Sequence, residues 1–424
     1  MLTKLIAVLT AMASVLLANT PFAVKEKDDS VTHRYIIIQD TDQDVFCRML
    51  QETYGKNNPE NEVMYAMGVC GPLLLTDSPA VTAAKAENAF SLAMKYDIPV
   101  WFQMDDINNQ YYGYVGENVV TCEKWYDNPE NTEKLGFGEN APSAPYWFNW
   151  GSWMRTPAMP CFNSPGFIGF IQNQLNEGFL PVLRKWLPIL KEAGKEYLFA
   201  GVSVGWETRM PDYSHMETDI TDQNGVHITE AELHQTGYRA LENLGYTEEK
   251  LQAEAKKQHI SAERLRFNLL TQVCHDYSEM ICKAVFDEGV PKTKIFTHYV
   301  INTDWIITDN KLNYNAPYVW AAVNPYSTPG FTNNSNVSFD RLGLLKIRIA
   351  LADPTETHYG IVEGYAEGLN EDKNKTVRYF NTLFNSGSLV VAVYGIHDAE
   401  GSRFCVPKTS DAPFSRAVIE MINK

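Results

Sequence analysis

Two strand-like runs of this chain each end in a glutamate, and a pair of carboxyl groups can perform acid/base and nucleophilic chemistry. Residues 198–207 read LFAGVSVGWE, and residues 358–363 read HYGIVE. Both runs are largely apolar before the glutamate, as buried parallel strands are. In a β/α barrel the C-terminal ends of the strands face the active site. We therefore predict that Glu207 and Glu363 meet at one barrel mouth.

Two carboxyl groups at such a mouth suit the hydrolysis of glycosidic bonds. A retaining glycosidase uses one as acid/base and the other as nucleophile, with the groups about 5–5.5 Å apart. Trp206 and Tyr365 adjoin the two runs, and we expect their rings to stack on a sugar. Asn324 and Tyr326 follow the predicted sixth strand, where the tyrosine hydroxyl is placed to keep a carboxylate ionised.

Other polar residues also stand at predicted strand ends. Asp40 follows strand one, Asp105 and Asp106 follow strand three, and His298 lies near the end of strand five. Carboxylates and imidazoles there are predicted to bind sugar hydroxyls. Each has a structural alternative: Asp40 starts a helix, one of the two aspartates is structural, and His298 is a satisfied core residue.

The elements that position these residues alternate between strand and helix patterns, which predicts a (β/α)8 barrel. Long βα loops follow strands three and four, over residues 107–163 and 208–258. Residues 302–317 show no helical pattern, so a doubly wound open sheet is the structural competitor. The predicted strands cover residues 35–39, 63–69, 99–104, 197–206, 294–300, 318–323, 358–363 and 388–394. The predicted helices cover residues 78–96, 166–193, 261–288, 338–351, 372–385 and 412–422.

With a glutamate after strand four and another after strand seven, the chain resembles the large clan of retaining glycoside hydrolases built on (β/α)8 barrels. The resemblance extends over nearly all of the mature chain. It implies that Glu207 is the acid/base, that Glu363 is the nucleophile, and that β-linked glycosides are cleaved by double displacement. An asparagine often precedes the acid/base in that clan, whereas Trp206 stands there in this sequence.

Two rival functions remain open at this point. Residues 201–205 read GVSVG, which matches the nucleophile elbow of serine esterases, with Ser203 as nucleophile and Asp353 plus His358 or His397 as partners. The elbow requires a helix directly after the serine, and here the apolar run continues instead. The second rival is a non-catalytic barrel that binds glycans through the aromatic residues of the first long loop.

The N-terminal segment and the net charge of the chain indicate where the protein acts and which partners it binds. Lys4 and the short apolar run after it predict a signal peptide over residues 1–23, which leaves one catalytic domain over residues 24–424 and export from the cytoplasm. The alternative is a buried N-terminal helix. A formal net charge of −16 argues against nucleic acid and anionic membranes as partners. The partner that the resemblance implies is an oligosaccharide or glycoside substrate. CxxC, HExxH, Walker and Rossmann patterns are absent from the sequence, so we predict neither a metal nor a cofactor.

Overall fold

The computed structural model describes thirteen strands, nine of which form one parallel sheet. The residues described are 33–40, 44–105, 125–144, 146–149, 153–156, 159–212, 220–221, 227–228, 235–301, 317–333, 339–364, 368–394 and 409–424. The strands are β1 (Arg34–Asp40), β2 (Val63–Leu73), β3 (Val100–Asp105), β4 (Tyr146–Asn149), β5 (Trp153–Thr156), β6 (Phe199–Val204), β7 (Ile220–Thr221), β8 (His227–Ile228), β9 (Ile295–Thr297), β10 (Tyr299–Val300), β11 (Gly330–Asn333), β12 (Tyr359–Gly364) and β13 (Ser388–Tyr394).

The sheet closes into a barrel through one interrupted strand. Its order is β10-β11-β12-β13-β1-β2-β3-β6-β9, and every pairing is parallel. The two ends of this order, β9 and β10, are separated in the chain by His298 alone. β9 pairs with β6 and β10 pairs with β11, so the run 295–300 joins both edges. The predicted (β/α)8 barrel is confirmed, and the open-sheet alternative is wrong.

Helices cover the outside of the barrel, and each predicted helix is present, although the one predicted over residues 166–193 is divided into two. They are α1 (Asp44–Tyr54), α2 (Pro79–Tyr96), α3 (Pro165–Gln174), α4 (Leu180–Glu192), α5 (Tyr238–Asn243), α6 (Glu248–Lys257), α7 (Ala262–Asp287), α8 (Phe339–Ala352), α9 (Lys373–Asn385) and α10 (Pro413–Ile422). Side-chain caps explain several starts: Ser78, Ser261 and Asp372 each accept a backbone N–H of the first turn. A π-helical turn, Leu175–Phe179, joins α3 to α4.

The predicted sixth strand, over residues 318–323, is wrong. Residues Val319–Ala322 form a 3₁₀ turn, because the rings of Tyr318 and Trp320 pack against α7. The sixth barrel position is held by β11, whose first residue, Gly330, follows a proline and reads as a turn signal. Gly330 is needed there, since an added Cβ would lie 2.0 Å from the carbonyl oxygen of Thr297.

The barrel interior is apolar in its middle and polar toward the C-terminal ends of the strands. Trp101 and Phe296 fill the middle, with ring centroids 5.3 Å apart. Closer to the C-terminal ends of the strands lie buried polar side chains, namely Gln39, Gln103, Ser203, His298, Thr332 and Glu363. The apolar layer therefore forms a floor beneath a polar mouth. The predicted signal peptide lies outside the described residues and stays a prediction.

β6 lies so close to the segment 295–300 that only glycine fits at position 201, and this can be tested by substitution. Its φ is 139°, and an added Cβ would lie 2.5 Å from the Lys294 carbonyl oxygen. We expect Gly201→Ala to lower the free energy of unfolding by about 2–4 kcal/mol, measured by urea denaturation.

Gly169→Ala is the matched control for this substitution. Gly169 is exposed in α3, and an added Cβ would meet nothing within 4 Å. Because alanine favours the helix, this variant should gain roughly 0.5–1 kcal/mol. Equal unfolding midpoints for the Gly201 and Gly169 variants would contradict the predicted packing.

Candidate active site

Glu207 lies in a tight turn directly after β6. Gly205 and Glu207 both have left-handed backbone conformations, with φ of 83° and 59°. The backbone N–H of Thr208 donates to the carbonyl oxygen of His298 at 3.0 Å, which ties the turn to the break between β9 and β10. A left-handed glutamate is strained by about 1–3 kcal/mol, and such strain concentrates at functional sites. The turn directs the Glu207 carboxyl over the barrel mouth.

Glu363 reaches the same mouth because β12 carries a bulge. Phe331 pairs with Ile361 and Thr332 with Glu363, so Val362 is an extra residue on β12. A bulge changes the direction of the side chains that follow it, and bulges are frequent next to active sites. Glu363 is 5% exposed, and its Oε2 lies 3.3 Å from His298 Nε2 and 3.5 Å from Gln103 Nε2.

The two glutamates and His298 form one compact cluster. A carboxylate oxygen of Glu207, one of Glu363 and a ring nitrogen of His298 all lie within 4.8 Å of one another. Carboxyl groups of retaining glycosidases are about 5–5.5 Å apart, whereas those of inverting enzymes are about 6.5–9.5 Å apart. The observed spacing is shorter than the inverting range and is closer to the retaining one.

The hydrogen bonds of His298 indicate which of its two ring nitrogens carries the proton. Nε2 lies 2.7 Å from Thr332 Oγ1 and faces the Glu363 carboxylate, while the buried Nδ1 has no hydrogen-bond partner among the described residues. A proton on Nδ1 would be a buried donor without an acceptor, which costs about 1–3 kcal/mol. The proton therefore sits on Nε2, where it points to Thr332 and Glu363.

Two buried glutamines orient a second N–H donor toward Glu363. Gln39 Nε2 donates to the carbonyl oxygen of Val362 at 3.3 Å and also to Gln103 Oε1. A carbonyl oxygen accepts only, so the amide of Gln39 has one allowed orientation, and this fixes the amide of Gln103 in turn. Gln103 then presents its NH₂ group to Glu363. N–H groups from two strands thus face this carboxylate.

The electrostatics of the cluster distinguish Glu207. Burial raises the pKa of the Glu207 carboxyl, and the nearby charge of Glu363 raises it further. The positive charge of Arg209 acts in the opposite direction, and the net pKa shift is upward. Glu207 therefore keeps its proton to a higher pH than an ordinary glutamic acid does.

The structure brings some of the predicted site residues to this mouth. His298 contacts Glu363 directly, and the buried Asp105 ends β3 on the same side of the barrel. Asp40 is the last residue of β1, and α1 begins four residues later, at Asp44. Asp106 and Tyr365 lie outside the described residues, as does the side chain of Asp40. Their roles stay predictions.

Asn324 and Tyr326 lie elsewhere, because the predicted sixth strand was wrong. They precede β11, and their turn leads to Thr328, whose N–H donates to the carbonyl oxygen of Ile295 at the start of β9. Asn324 bonds Ser327 and the backbone of Tyr326, and the Tyr326 ring packs on Phe286 of α7. This turn is at the N-terminal end of the barrel, so the predicted bond from Tyr326 to the nucleophile is not supported.

Trp206 and Gly364 have structural roles. Trp206 is only 3% exposed and belongs to the hydrophobic core, so its ring does not offer an open face to a sugar. A Cβ added at Gly364 would lie 2.8 Å from the carbonyl oxygen of Ala392. Gly364 thus permits close strand packing.

Ser203 does not occupy a nucleophile elbow. It lies within β6, which continues to Val204, and no helix follows directly. Its side chain is fully buried, and among the described residues its hydroxyl has no hydrogen-bond partner. Asp353 is bound to Thr355 in the turn after α8 and precedes β12 at the N-terminal end of the barrel. The geometry therefore does not support an esterase triad.

Sequence reasoning missed Thr332, Gln39 and Arg209. Thr332 was hidden because β11 was not recognised as a strand, and Gln39 stands one residue before the more conspicuous Asp40. Arg209 follows Glu207 by two residues but falls in an irregular segment with no periodic signal. Side chains alternate between the two faces of a strand. Gln39 in β1 and Gln103 in β3 both fall on the face that points into the barrel, and this alternation is the pattern that could have identified Gln39.

Among the residues that the structure describes, two groups of side chains have a donor spacing that could hold a metal ion. One is the cluster of Glu207, His298 and Glu363, and the other is His275, Asp276 and Glu279 on α7. One nitrogen and two carboxylate oxygens could hold zinc or manganese. In the first cluster N–H groups already point at Glu363, an arrangement that suits a free carboxylate better than a metal-bound one.

The burial of Ser203 leads to a prediction about stability that tests whether its hydroxyl is only packed in the core. Ser203→Ala removes a buried hydroxyl that lacks a partner, so we expect the free energy of unfolding to stay equal or to rise by up to about 1 kcal/mol. The control is Ser278→Ala, since the equally buried Ser278 hydroxyl bonds Tyr299 and Cys274 and its loss should cost about 1–2 kcal/mol. Thermal or urea unfolding measures both, and a larger loss at Ser203 would contradict the geometry.

Comparisons with known proteins add little to this description of the fold. No protein-family model matches the chain, and no curated protein does. Among solved structures, the endo-1,4-β-mannanase of Rhizomucor miehei is 8% identical with a TM-score of 0.47, covering 92% of this chain and 94% of that one. The endo-β-1,4-mannanase of Thermotoga petrophila is 6% identical with a TM-score of 0.46, covering 92% and 77%. Because both scores lie below 0.5, we base neither fold nor function on these likenesses.

Proposed function

We propose that this protein is a glycoside hydrolase that cleaves β-linked glycosides with retention of anomeric configuration. The observation that supports this most directly is the spacing within 4.8 Å of the Glu207 and Glu363 carboxylate oxygens at one barrel mouth. At this spacing one carboxyl can attack the anomeric carbon while the other protonates the departing oxygen. An inverting enzyme would need a wider gap to admit the attacking water.

The surroundings of the two carboxyls support a division of labour. Glu207, whose pKa is raised, is the acid that gives its proton to the glycosidic oxygen. Glu363, faced by the N–H groups of His298 and Gln103, is the carboxylate that forms the bond to the anomeric carbon. In the second step the Glu207 carboxylate removes a proton from water, the water oxygen attacks the anomeric carbon, and Glu363 departs as a carboxylate.

Two further observations bear on the substrate class and the compartment that we propose. Asp105 at the end of β3 is placed to accept hydrogen bonds from sugar hydroxyls. The described helices include none that is both long and apolar enough to cross a bilayer. Together with the predicted signal peptide, these features support an exported enzyme acting on oligosaccharides.

A single screen separates this function from its rivals. Aryl glycosides and natural oligosaccharides are incubated with the protein, with and without a chelator, and released sugar is measured. Turnover that survives chelation supports the two-carboxylate mechanism, while turnover that chelation abolishes supports metal-dependent hydrolysis by the same cluster. Tight sugar binding without turnover would indicate a glycan-binding barrel, and hydrolysis of an aryl acetate, added as a further substrate, without hydrolysis of any glycoside would indicate an esterase.

The role of Glu207 is tested by a change of leaving group. Glu207→Ala should slow substrates with poor leaving groups by about 10²–10⁴-fold and activated aryl glycosides far less, because a stable leaving group needs no proton. In the parent enzyme kcat/KM for poor leaving groups should fall as pH rises through the raised pKa of Glu207, since the protonated form is required. Azide should restore turnover in the variant with retained configuration. Equal loss on both substrate types, without rescue, would argue against this role.

The role of Glu363 is tested by covalent trapping. An activated 2-fluoro glycoside should form a stable ester with Glu363, which peptide mass spectrometry locates. Glu363→Gln should keep its fold and its sugar binding and lose nearly all turnover, because an amide is a poor nucleophile. If Glu363 served only the hydrogen bonds to His298 and Gln103, the variant would lose stability and keep its activity. Labelling of another residue would contradict the assignment.

A further inference from the structure

Gln103 faces the Glu363 carboxylate from inside the barrel. Its Nε2 lies 3.5 Å from Glu363 Oε2, the same oxygen that His298 Nε2 approaches to 3.3 Å. Gln103 is fully buried in β3, so its amide cannot turn toward solvent. Because both N–H groups face Oε2, Oε1 is the oxygen of Glu363 that is placed to bond the anomeric carbon.

Gln39 determines which end of the Gln103 amide faces Glu363. The Nε2 of Gln39 lies 3.3 Å from the carbonyl oxygen of Val362, and a carbonyl oxygen can only accept. The same NH₂ group donates to Gln103 Oε1, so the NH₂ group of Gln103 is directed to the carboxylate. A reversed Gln103 amide would place its oxygen against Glu363 and its NH₂ group against that of Gln39.

The two steps of the proposed reaction change the charge of Glu363 in opposite directions. In the first step the carboxylate loses its charge as Oε1 bonds the anomeric carbon, so an N–H group at Oε2 stabilises the starting state more than the transition state. In the second step the ester is neutral at the start, and negative charge returns to both carboxyl oxygens as the bond breaks. An N–H group at Oε2 then stabilises the transition state more than the ester.

We propose that Gln103 is a catalytic residue of the second step, in which its amide stabilises the charge returning to Glu363, and that Gln39 is the positioning residue that directs this amide. The inference rests on the proposed function and assigns two residues to one half of it. Water gives a proton to the Glu207 carboxylate, and its oxygen bonds the anomeric carbon. The bond from that carbon to Oε1 breaks and leaves its electron pair on Glu363.

The test replaces Gln103 with methionine, which has a similar shape and no amide. After rapid mixing with an activated aryl glycoside, the burst of released phenol measures the first step and the steady rate measures the second. Gln103→Met should lower the steady rate by about three- to tenfold, a modest effect because 3.5 Å is long for a hydrogen bond. The burst rate should stay equal or rise. The Glu363 ester with a 2-fluoro glycoside should decay more slowly by the same factor.

Gln39→Met should show the same pattern, because the Gln103 amide then loses the donor that directs it. Gln174→Met is the matched control, since Gln174 is a buried glutamine of α3, outside the sheet, whose Nε2 donates to the carbonyl oxygen of Asp77 at 3.1 Å. This control should lose stability and keep both rates. If methionine at 103 prevents folding, Gln103→Asn retains an amide too short to reach Glu363 and should show the slow second step.

The outcomes separate this inference from the proposed function. If the parent forms the Glu363 ester and the ester decays at the parent rate in the Gln103 variants, the role of Gln103 is wrong and the function stands. A proportional loss of both rates would also overturn it, because general damage slows both steps. A slow second step in Gln103→Met with parent rates in Gln39→Met would overturn the role of Gln39. If the parent forms no ester with any reactive glycoside and releases no sugar, the proposed function is overturned as well.

Discussion

Two carboxyl groups this close together cannot both be ionised at low cost, and the mouth of the barrel is organised around that repulsion. At a separation within 4.8 Å and an effective dielectric constant of about 20, two full negative charges repel by about 3–4 kcal/mol. Burial and the charge of Glu363 therefore raise the pKa of Glu207. The surroundings of the two carboxyls differ, because N–H donors face Glu363.

The barrel creates this closeness through three local irregularities at its C-terminal end. The turn after β6 holds Glu207 in a left-handed conformation, the strand-five segment is interrupted at His298, and the bulge in β12 adds Val362 before Glu363. The irregularities are linked, since the N–H of Thr208 donates to the carbonyl oxygen of His298. Regular strands would continue their alternation past these positions. The site thus depends on departures from regularity that the closed sheet below it supports.

Much of this arrangement could be predicted from the sequence, for reasons that individual residues make clear. The run before Glu363 is apolar and β-branched, and β12 and β13 were located to within one residue. The sixth strand was missed because Pro329 and Gly330 signal a turn, whereas the glycine is required by the Thr297 carbonyl oxygen beside it. Because of that error, Asn324 and Tyr326 were predicted at the wrong end of the barrel, and Thr332 was not recognised as a strand residue. Burial of Trp206 depends on tertiary packing, which no local pattern encodes.

The bulge in β12 also explains why two glutamines lie inside the barrel. An extra residue in a strand interrupts the ladder, and a buried carbonyl oxygen there needs a donor from elsewhere. Gln39 donates to the carbonyl oxygen of Val362, which fixes its amide and, through it, the amide of Gln103. Gln103 then faces Glu363, the residue that follows Val362. The backbone distortion that directs Glu363 into the mouth is thus the same feature that orients a donor toward its charge, so position and electrostatics are set together.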